Sequence, residues 1–391
     1  MKPQSDSPSN ARLGEAHPLG RWAADLLMGD LRPWPESAEG AATRAAMAFF
    51  RAQGLGPLCH HSLQAAGARH LVPAAVWDLL SQERRTAVAI DLVRSQRDAQ
   101  VIGWLIEAGL RPLVLKGAAY ARTLYPEPHL RPRCDTDLLL PDRDAAQAAW
   151  TRLMAGGYQL DANVVEGRLV SRQRTCTLPL AGGHSIDLHW AIGNTHSFVR
   201  ALPQTELRRE AVPLATLHPG AETLGPVHSL LFACLHWFGH ERDSHCPRLL
   251  WSYDIYRLAG RLGEADWTAL GDKAVAGRVA GVCRHVLDRV GLWFPMPEAS
   301  AIRPVLSDAE TREVFRPDRV RGHLGYAFYD LCALDGWRER LQWLAETIFP
   351  APAYMRQKYA GAGVGWLPLL YLRRAATGIS RRLRGKGSAR T

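Results

Sequence analysis

The chain has 391 residues, 47% of them hydrophobic and 22% charged, and a formal net charge of +10. This length and composition predict a globular protein with an ample buried core, organised as two or three domains or subdomains. The positive charge is local, since residues 347–391 hold nine Lys or Arg and no acid, which argues against a uniformly basic nucleic-acid-binding protein.

No apolar run approaches the ~20 residues that a membrane-spanning helix requires. The seven cysteines show neither a C-x-x-C pair nor the spacing of a disulfide framework. With no signal peptide apparent, this pattern favours reduced thiols and a cytoplasmic location. Cys134 is expected to be a buried, inert thiol, although its position beside Asp135 leaves sensitivity to alkylation open.

The predicted elements begin with a Ser- and Pro-rich, disordered segment over residues 1–18, followed by a helical region over residues 19–110. The last helix of this region is predicted over residues 82–108, with Gly109 as its stop. Four apolar side chains recur in it at near-helical spacing and are expected to pack against the sheet that follows: Val88, Leu92, Val101 and Leu105.

Two short strands follow, each with charged residues at one end. Leu113-Val114-Leu115 is a buried-strand run that ends in Lys116-Gly117, and Asp135-Thr136-Asp137 opens a second run, Leu138-Leu139-Leu140. Side chains alternate between the faces of a strand, so Asp135 and Asp137 share one face. Such a pair favours a cation, and Mg²⁺ is typically held by one or two carboxylates together with substrate phosphates. The segment therefore indicates phosphoryl or nucleotidyl chemistry.

A second D-x-D, Asp142-Arg143-Asp144, provides an internal comparison. It follows Pro141 and precedes AAQAAWTRLM, so it is predicted to begin a helix, where acids interact favourably with the helix dipole. D-x-D alone is weak evidence for a metal, because a solvated strand entrance or an Arg-paired turn can contain the same residues.

Residues 168–192 predict a hairpin with its turn at Ala181-Gly182-Gly183-His184. In the second strand, Ile186, Leu188 and Trp190 alternate with Asp187 and His189. Asp187 therefore lies on the polar face and could supply a third carboxylate beside Asp135 and Asp137. The alternative is an ordinary exposed face of an antiparallel strand.

Lys116-Gly117, Arg131 four residues before the D-x-D, and the downstream strand I-D-L-H-W resemble the nucleotidyltransferase superfamily of the polymerase-beta type. More closely, they resemble the bacterial nucleotidyltransferase-like group with LKG…R…DxDLL…DLHW motifs. The resemblance implies an α+β fold: a small mixed nucleotidyltransferase sheet in a catalytic core over residues 111–200, flanked by an N-terminal and a C-terminal helical region, the latter over residues 201–346.

The resemblance also implies the site. Asp135 and Asp137 would bind Mg²⁺, or Mn²⁺, together with the NTP, and Asp187 would be the third metal-binding acid, suited to activating an acceptor hydroxyl. Lys116, Gly117 and Arg131 would bind the nucleotide, with the two cations neutralising phosphate charge. The superfamily commonly has Gly-Ser after its first strand, where this chain has Lys116-Gly117-Ala118. Lys116 either compensates as a point charge or pairs with Asp137.

After the sheet, residues 230–260 and 267–290 predict helices. The segment ACLHWFGHERDSHCP holds a group of potential metal ligands: Cys234, His236, His240, His245 and Cys246. The i, i+4 histidines allow zinc on one helix face, but the H-E-x-x-H acid is absent and Cys234 lies on another face. A helix packing on the sheet is therefore the favoured interpretation. His236, His240 and Asp254 are expected near the site, without a catalytic role.

The basic tail, residues 347–391, places Arg373, Arg374 and five further basic residues after the apolar run Trp366-Leu367-Pro368-Leu369-Leu370-Tyr371-Leu372. This arrangement is compatible with an anionic membrane, an acidic partner or RNA, and equally with a solvated terminus.

Three functions stay open. The first is a Mg²⁺-dependent nucleotidyltransferase moving an NMP group, for example AMP, from an NTP to a hydroxyl or phosphate of a small-molecule, peptide or protein acceptor; it is favoured because all three acids occupy matching faces. The second is a non-catalytic nucleotide- or partner-binding module, supported by the missing Gly-Ser. The third is a membrane or RNA adaptor acting through the tail, which would place a cytoplasmic protein at the membrane periphery.

Overall fold

A computed structural model describes residues 17–35, 40–160, 172–179, 183–193, 195–242, 247–313, 315–317, 322–334, 336–359 and 366–374. Several sequence predictions fall outside these residues: the disordered segment up to residue 16, the turn residues Ala181 and Gly182, the ligand candidates His245 and Cys246, and the tail beyond residue 374. Residues 17 and 18 are described, and the first helix already begins at Pro18.

Helices dominate the N-terminal region. They are α1 (Pro18–Leu27), α2 (Gly40–Gln53), α3 (Gly56–Ala65) and α4 (Ala74–Glu107). The predicted long helix is α4, but it begins at Ala74 rather than at Gln82. Pro73 precedes its first residue, a position where the missing N–H of proline costs no helical hydrogen bond. Gly109 follows the helix with a left-handed φ of +75°, so it stops α4 as predicted.

Seven strands of the described residues form one mixed sheet, in the order β3-β4-β5-β2-β1-β7-β6. The β1–β7 and β2–β5 pairs are parallel and the other neighbours are antiparallel. The strands are β1 (Leu113–Leu115), β2 (Thr136–Leu139), β3 (Gln159–Leu160), β4 (Gln173–Leu178), β5 (His184–His189), β6 (Val212–Pro213) and β7 (Glu222–Thr223). The predicted hairpin is confirmed as β4 and β5.

Two helices lie among the first strands of the sheet. α5 (Lys116–Thr123) follows β1 directly, and α6 (Arg143–Ala155) lies between β2 and β3. The Asp142 carboxylate accepts a hydrogen bond from the Ala145 backbone N–H at 2.8 Å, and Asp144 lies in the first turn of α6. The second D-x-D therefore caps a helix, as predicted.

The C-terminal part is helical, which confirms the α+β class with helical flanks. Its helices are α7 (His196–Ala201), α8 (Gln204–Arg209), α9 (Pro226–Arg242), α10 (Leu249–Ala259), α11 (Glu264–Ala276), α12 (Ala280–Gly291), α13 (Arg303–Arg312), α14 (Gly322–Cys332), α15 (Trp337–Ile348) and α16 (Pro352–Lys358), followed by a helical segment at 367–374. None of the described helices has the length and apolar character needed to cross a membrane.

A continuous hydrophobic core extends from Leu19 in α1 to Phe315 beyond α13. Val101 and Leu105 of α4 belong to it, as predicted, but Val88 and Leu92 are exposed, Leu92 by 73%. The prediction for these two was wrong because α4, with 34 residues, is about 50 Å long and its middle extends past its packing partners.

Candidate active site

A row of paired residues crosses the centre of the sheet. Asp137 of β2 lies opposite Asp187 of the parallel strand β5, and opposite Leu115 of β1 on its other side. Thr175 of β4 continues the row beyond Asp187. Directly paired residues share a face of the sheet, so both carboxylates face the same cleft. Asp135, just before β2, lines this cleft too, and the structure thus brings the three predicted acids together.

The opposite side of β2 is anchored to α4. Thr136 donates a hydrogen bond to Oδ1 of the fully buried Asp98 at 2.7 Å and accepts one from Arg133 Nη1 at 2.6 Å. Asp98 also forms ion pairs with Arg133 at 2.6 Å and with His184 at 2.9 Å. The network fixes both acid-bearing strands, β2 and β5, against one helix. It holds Asp137 and Asp187 in register from behind the sheet.

Lys116 turns the chain sharply from β1 into α5. Its φ of +45° lies in the left-handed region, which costs a non-glycine residue of the order of 1 kcal/mol. In this conformation its ammonium donates a hydrogen bond to Asp137 Oδ1 at 2.9 Å. Of the two roles left open for Lys116, the pairing with Asp137 is therefore observed.

Asp137 carries the strongest electrostatic interactions in the cleft. Burial alone would raise the pKa of its carboxyl, but Lys116 and His189 hold that pKa well below its usual range. His189 Nε2 lies 2.9 Å from Asp137 Oδ1, so the ring donates through Nε2. Both partners contact the same carboxylate oxygen, which leaves the other oxygen for a ligand.

Asp135 and Asp187 have the opposite tendency. Burial, together with the charges of Asp137 and Asp187, raises the pKa of Asp135 to about 6. Burial and the charge of Asp137 raise the pKa of Asp187 as well, while a hydrogen bond with Thr175 lowers it. Within the described residues, Asp187 Oδ1 is buried and has no hydrogen-bond partner. The positive charge near these two carboxyls is therefore too small to offset their burial and the repulsion from neighbouring acids.

Gly117 and Arg131 form the adjoining wall of the cleft. Arg131 Nε and Nη2 bind the carboxylate of Asp254 at 2.6–3.1 Å, which compensates much of the guanidinium charge. Tyr125 donates to the same carboxylate at 2.7 Å. A Cβ on Gly117 would lie 3.0 Å from Arg131 Nη1 and 3.3 Å from Arg133 Cβ. Gly117 thus allows the chain around Arg131 to approach the start of α5.

The cleft has a volume of about 680 Å³. Its lining residues come from the N-terminal helices, from the sheet with its loops, and from the later helices. Gln53 of α2 lines it on one side, and His236, His240 and Trp251 of α9 and α10 line it on the other. His236 Nε2 and His240 Nε2 lie 3.1 Å apart, and burial lowers the pKa of His236 well below its ordinary value. Both histidines thus border the site as expected. Within the described chain, neither belongs to a set of three potential metal ligands.

Arg248 is an additional cation at this cleft. Its guanidinium lies over the Trp251 ring, 5.5 Å from the ring centroid, and within the described part of the chain it forms no ion pair. By contrast, Asp137 and Asp254 compensate Lys116 and Arg131. Arg248 therefore offers the least compensated positive charge on the wall.

Several residues of the cleft were not predicted from the sequence. Arg248 belongs to no motif in the sequence. His189 lies two residues after Asp187 in the D-L-H-W strand, on the same face, but that spacing alone did not indicate its hydrogen bond to Asp137. The buried ion pair of Asp98 with Arg133 joins distant parts of the chain and gives no local pattern. Cys134 lines the cleft and is exposed, contrary to the expected buried thiol, because the loop before β2 opens into the cleft.

A small mixed sheet with acids from adjacent parallel strands at one cleft is the arrangement expected of the nucleotidyltransferase class. The chain matches the family model described as "uncharacterised nucleotidyltransferase" over residues 40–295, more than half of its length, and it belongs to this family. Comparison with curated proteins and with solved structures found no match.

Proposed function

We propose that this protein is a Mg²⁺-dependent nucleotidyltransferase that moves an NMP group from an NTP to a hydroxyl or phosphate of an acceptor. The observation that carries the proposal is the convergence of Asp135, Asp137 and Asp187 on one cleft. Like charges this close oppose one another, and the raised pKa values of Asp135 and Asp187 are those of a site built to receive positive charge.

The donor set fits a divalent cation. Asp137, Asp187 and His189 each offer a ligand atom, and these atoms lie within 4.8 Å of one another. Asp187 Oδ1 is buried without a partner in the described chain, and Asp135 adds a further carboxylate beside it. His189 already donates to Asp137, so the three carboxylates are the proposed ligands. Oxygen ligands suit Mg²⁺, and also Mn²⁺.

When bound, the metal ions supply positive charge to the phosphates and to the attacking and leaving oxygens. Lys116 and His189 keep Asp137 ionised and fix its orientation. Asp187, beside Asp137 on the neighbouring strand, accepts the proton of the acceptor hydroxyl. The acceptor oxygen bonds to the α-phosphorus, the bond from that phosphorus to the β-phosphate oxygen breaks, and pyrophosphate leaves.

The nucleotide phosphates are proposed to bind along the cationic wall. Lys116 contributes a point charge at the start of α5, and Gly117 leaves room beside it. Arg131 uses Nε and Nη2 for Asp254, which leaves Nη1 for phosphate. Arg248 lies on the same cleft and has no acidic partner in the described chain. AMP is one candidate for the transferred group.

Pyrophosphate release tests the proposal. Each NTP is supplied with Mg²⁺ and an extract containing candidate acceptors, and release is expected for at least one NTP and lost in Asp137→Ala. Asp187→Asn is expected to lower turnover by about 10²-fold or more while NTP affinity changes little, because a base acts in the transition state. Asp142→Asn, in the helix-capping D-x-D, is the matched control. Equal loss of affinity and turnover in Asp187→Asn would contradict the role of Asp187.

A non-catalytic binding module is the second candidate. Lys116-Gly117-Ala118, in place of the Gly-Ser common in the superfamily, is the observation that favours it. A binding module of this kind would bind NTP in the presence of Mg²⁺ without releasing pyrophosphate. A labelled NTP in the same extract separates the candidates, because only transfer places the label on an acceptor, which can then be identified.

We also propose a cytoplasmic location for the reaction. The six cysteines within the described residues are free thiols, and the sequence pattern of all seven favours a reducing compartment.

A further inference from the structure

One face of α15 is apolar and exposed. Trp337, Leu341 and Ile348 are 67%, 56% and 55% exposed. At 3.6 residues per turn these positions fall within about 40° of one another around the helix axis. Trp343, on another side of the helix, is buried. The helix therefore packs inwards through Trp343 and presents its apolar stripe outwards.

The charges of α15 are arranged around this stripe. By the same helical spacing, Arg338 and Arg340 flank it, one on each side. Glu339 and Glu346, the two acids of the helix, fall on the opposite side. An apolar stripe bordered by cations, with acids turned away, is the pattern of a helix that lies in the interface of an anionic bilayer.

The following segments extend this surface. Tyr371 donates a hydrogen bond to the Pro350 carbonyl at 2.6 Å, and its ring contacts Phe349 with 5.6 Å between centroids. Residues 366–374 therefore lie beside the end of α15. Phe349 and Leu372 are more than 60% exposed, as is Trp366. Tryptophan is the residue type enriched where proteins meet the membrane–water boundary.

The charge of this part of the chain matches an anionic surface. Residues 347–391 carry nine Lys or Arg and no acid, whereas residues 1–346 carry a net charge of only +1. Five of the nine basic residues follow the described end of the chain. The family match ends at residue 295, so α15 and the basic tail lie outside the part that defines the family.

We propose that α15 and residues 349–350 and 366–374 form an interfacial surface that docks on an anionic phospholipid bilayer, to which the positive charge of residues 347–391 adds attraction. Trp337, Leu341 and Phe349 enter the headgroup region, and the basic residues bind lipid phosphates. Two weak contributions of different kind, apolar insertion and charge attraction, together give reversible peripheral binding.

The test is co-sedimentation of the full chain with vesicles of phosphatidylcholine alone or mixed with phosphatidylglycerol. Binding is expected only with phosphatidylglycerol and is weakened by high salt. Trp337→Ser with Leu341→Ser is expected to lower the partition coefficient about tenfold or more, since both apolar side chains leave the stripe. Arg381→Gln, Arg382→Gln and Arg384→Gln together are expected to lower it similarly without altering a described helix.

Leu292→Ser with Val305→Ser is the matched control, because these side chains are 48% and 49% exposed but lie on another part of the molecule. Its partition coefficient should equal that of the unmodified chain. Unchanged binding in both the apolar and the basic variant overturns the proposal. So does binding of transfer RNA in place of vesicles, or a concentration-dependent dimer that the Trp337 and Leu341 substitutions dissociate, since the surface would then serve RNA or a second copy.

Discussion

Asp135 shows at the scale of one residue how the three acids of the cleft oppose one another. Its pKa of about 6 exceeds the ordinary value of 3.8, so the folded state binds the Asp135 proton more tightly than the unfolded state does. The cost of ionising this carboxyl in the folded state is therefore fully present above about pH 6, decreases as the pH falls, and is gone below about pH 3.

Asp135→Asn is accordingly expected to stabilise the metal-free protein at pH 7.5, by an amount of the order of 1–3 kcal/mol. The gain should shrink as the pH falls through 6 and nearly vanish at pH 3, where the carboxyl is protonated in both the folded and the unfolded state. Urea unfolding at the two pH values measures it. Asp144→Asn removes an acid from the first turn of α6 and should instead lower stability slightly, by about 0.3–1 kcal/mol. Loss of stability in Asp135→Asn at pH 7.5 would show that the three acids do not repel one another.

Arg248 permits a test of the proposed phosphate binding along the cationic wall, and its substitution leaves the three acids intact. Arg248→Gln is expected to weaken NTP binding about tenfold, the size of one charge-assisted hydrogen bond to phosphate. The free energy of unfolding should change little, because within the described chain this guanidinium has no ion pair to lose. Calorimetric titration with Mg²⁺ and NTP measures the affinity. Arg261→Gln, an exposed arginine beyond the other end of α10, should bind normally.

At the scale of elements, α4 supports the sheet through one buried carboxylate. Asp98→Ala would leave Arg133 and His184 without their buried partner, and removing one side of such a pair costs about 3–5 kcal/mol. Thermal unfolding should show a large drop in stability, with turnover falling as β2 and β5 lose their common anchor. Asp78→Ala, at an exposed position of the same helix, should change stability little. Similar losses in both variants would assign the effect to the helix rather than to the network.

The contrast between β2 and α4 explains which elements the sequence could predict. In β2 the alternation of side chains between the two faces is a local property of the sequence. It correctly places Asp137 and Thr136 on opposite faces of the strand. In α4 the same kind of periodicity predicted burial of Leu92 wrongly, because the length of a helix relative to its packing partners is a property of the tertiary structure. The Arg131–Asp254 pair joins residues 123 positions apart, so no local pattern reveals it.

At the scale of the molecule, the cleft is the place where the N-terminal helices, the sheet and the later helices meet. Gln53, Asp137 and Trp251 line it from these three regions. A ligand that spans the cleft therefore adds contacts between parts of the chain that are distant in sequence. Such a ligand binds the folded state alone, and it shifts the unfolding of the whole molecule by mass action.

Mg²⁺ with the correct NTP is therefore expected to raise the melting temperature of the full chain. At a ligand concentration of about 100 times Kd the stabilisation is about 2.7 kcal/mol, which corresponds to a few degrees for a chain of this size. Differential scanning fluorimetry with each NTP would identify the nucleotide, and chelation of the metal should abolish the shift. Asp137→Asn should show none, because it removes the charge that Lys116 and His189 orient towards the cleft. An equal shift without Mg²⁺ would mean that the cationic wall alone binds the phosphates.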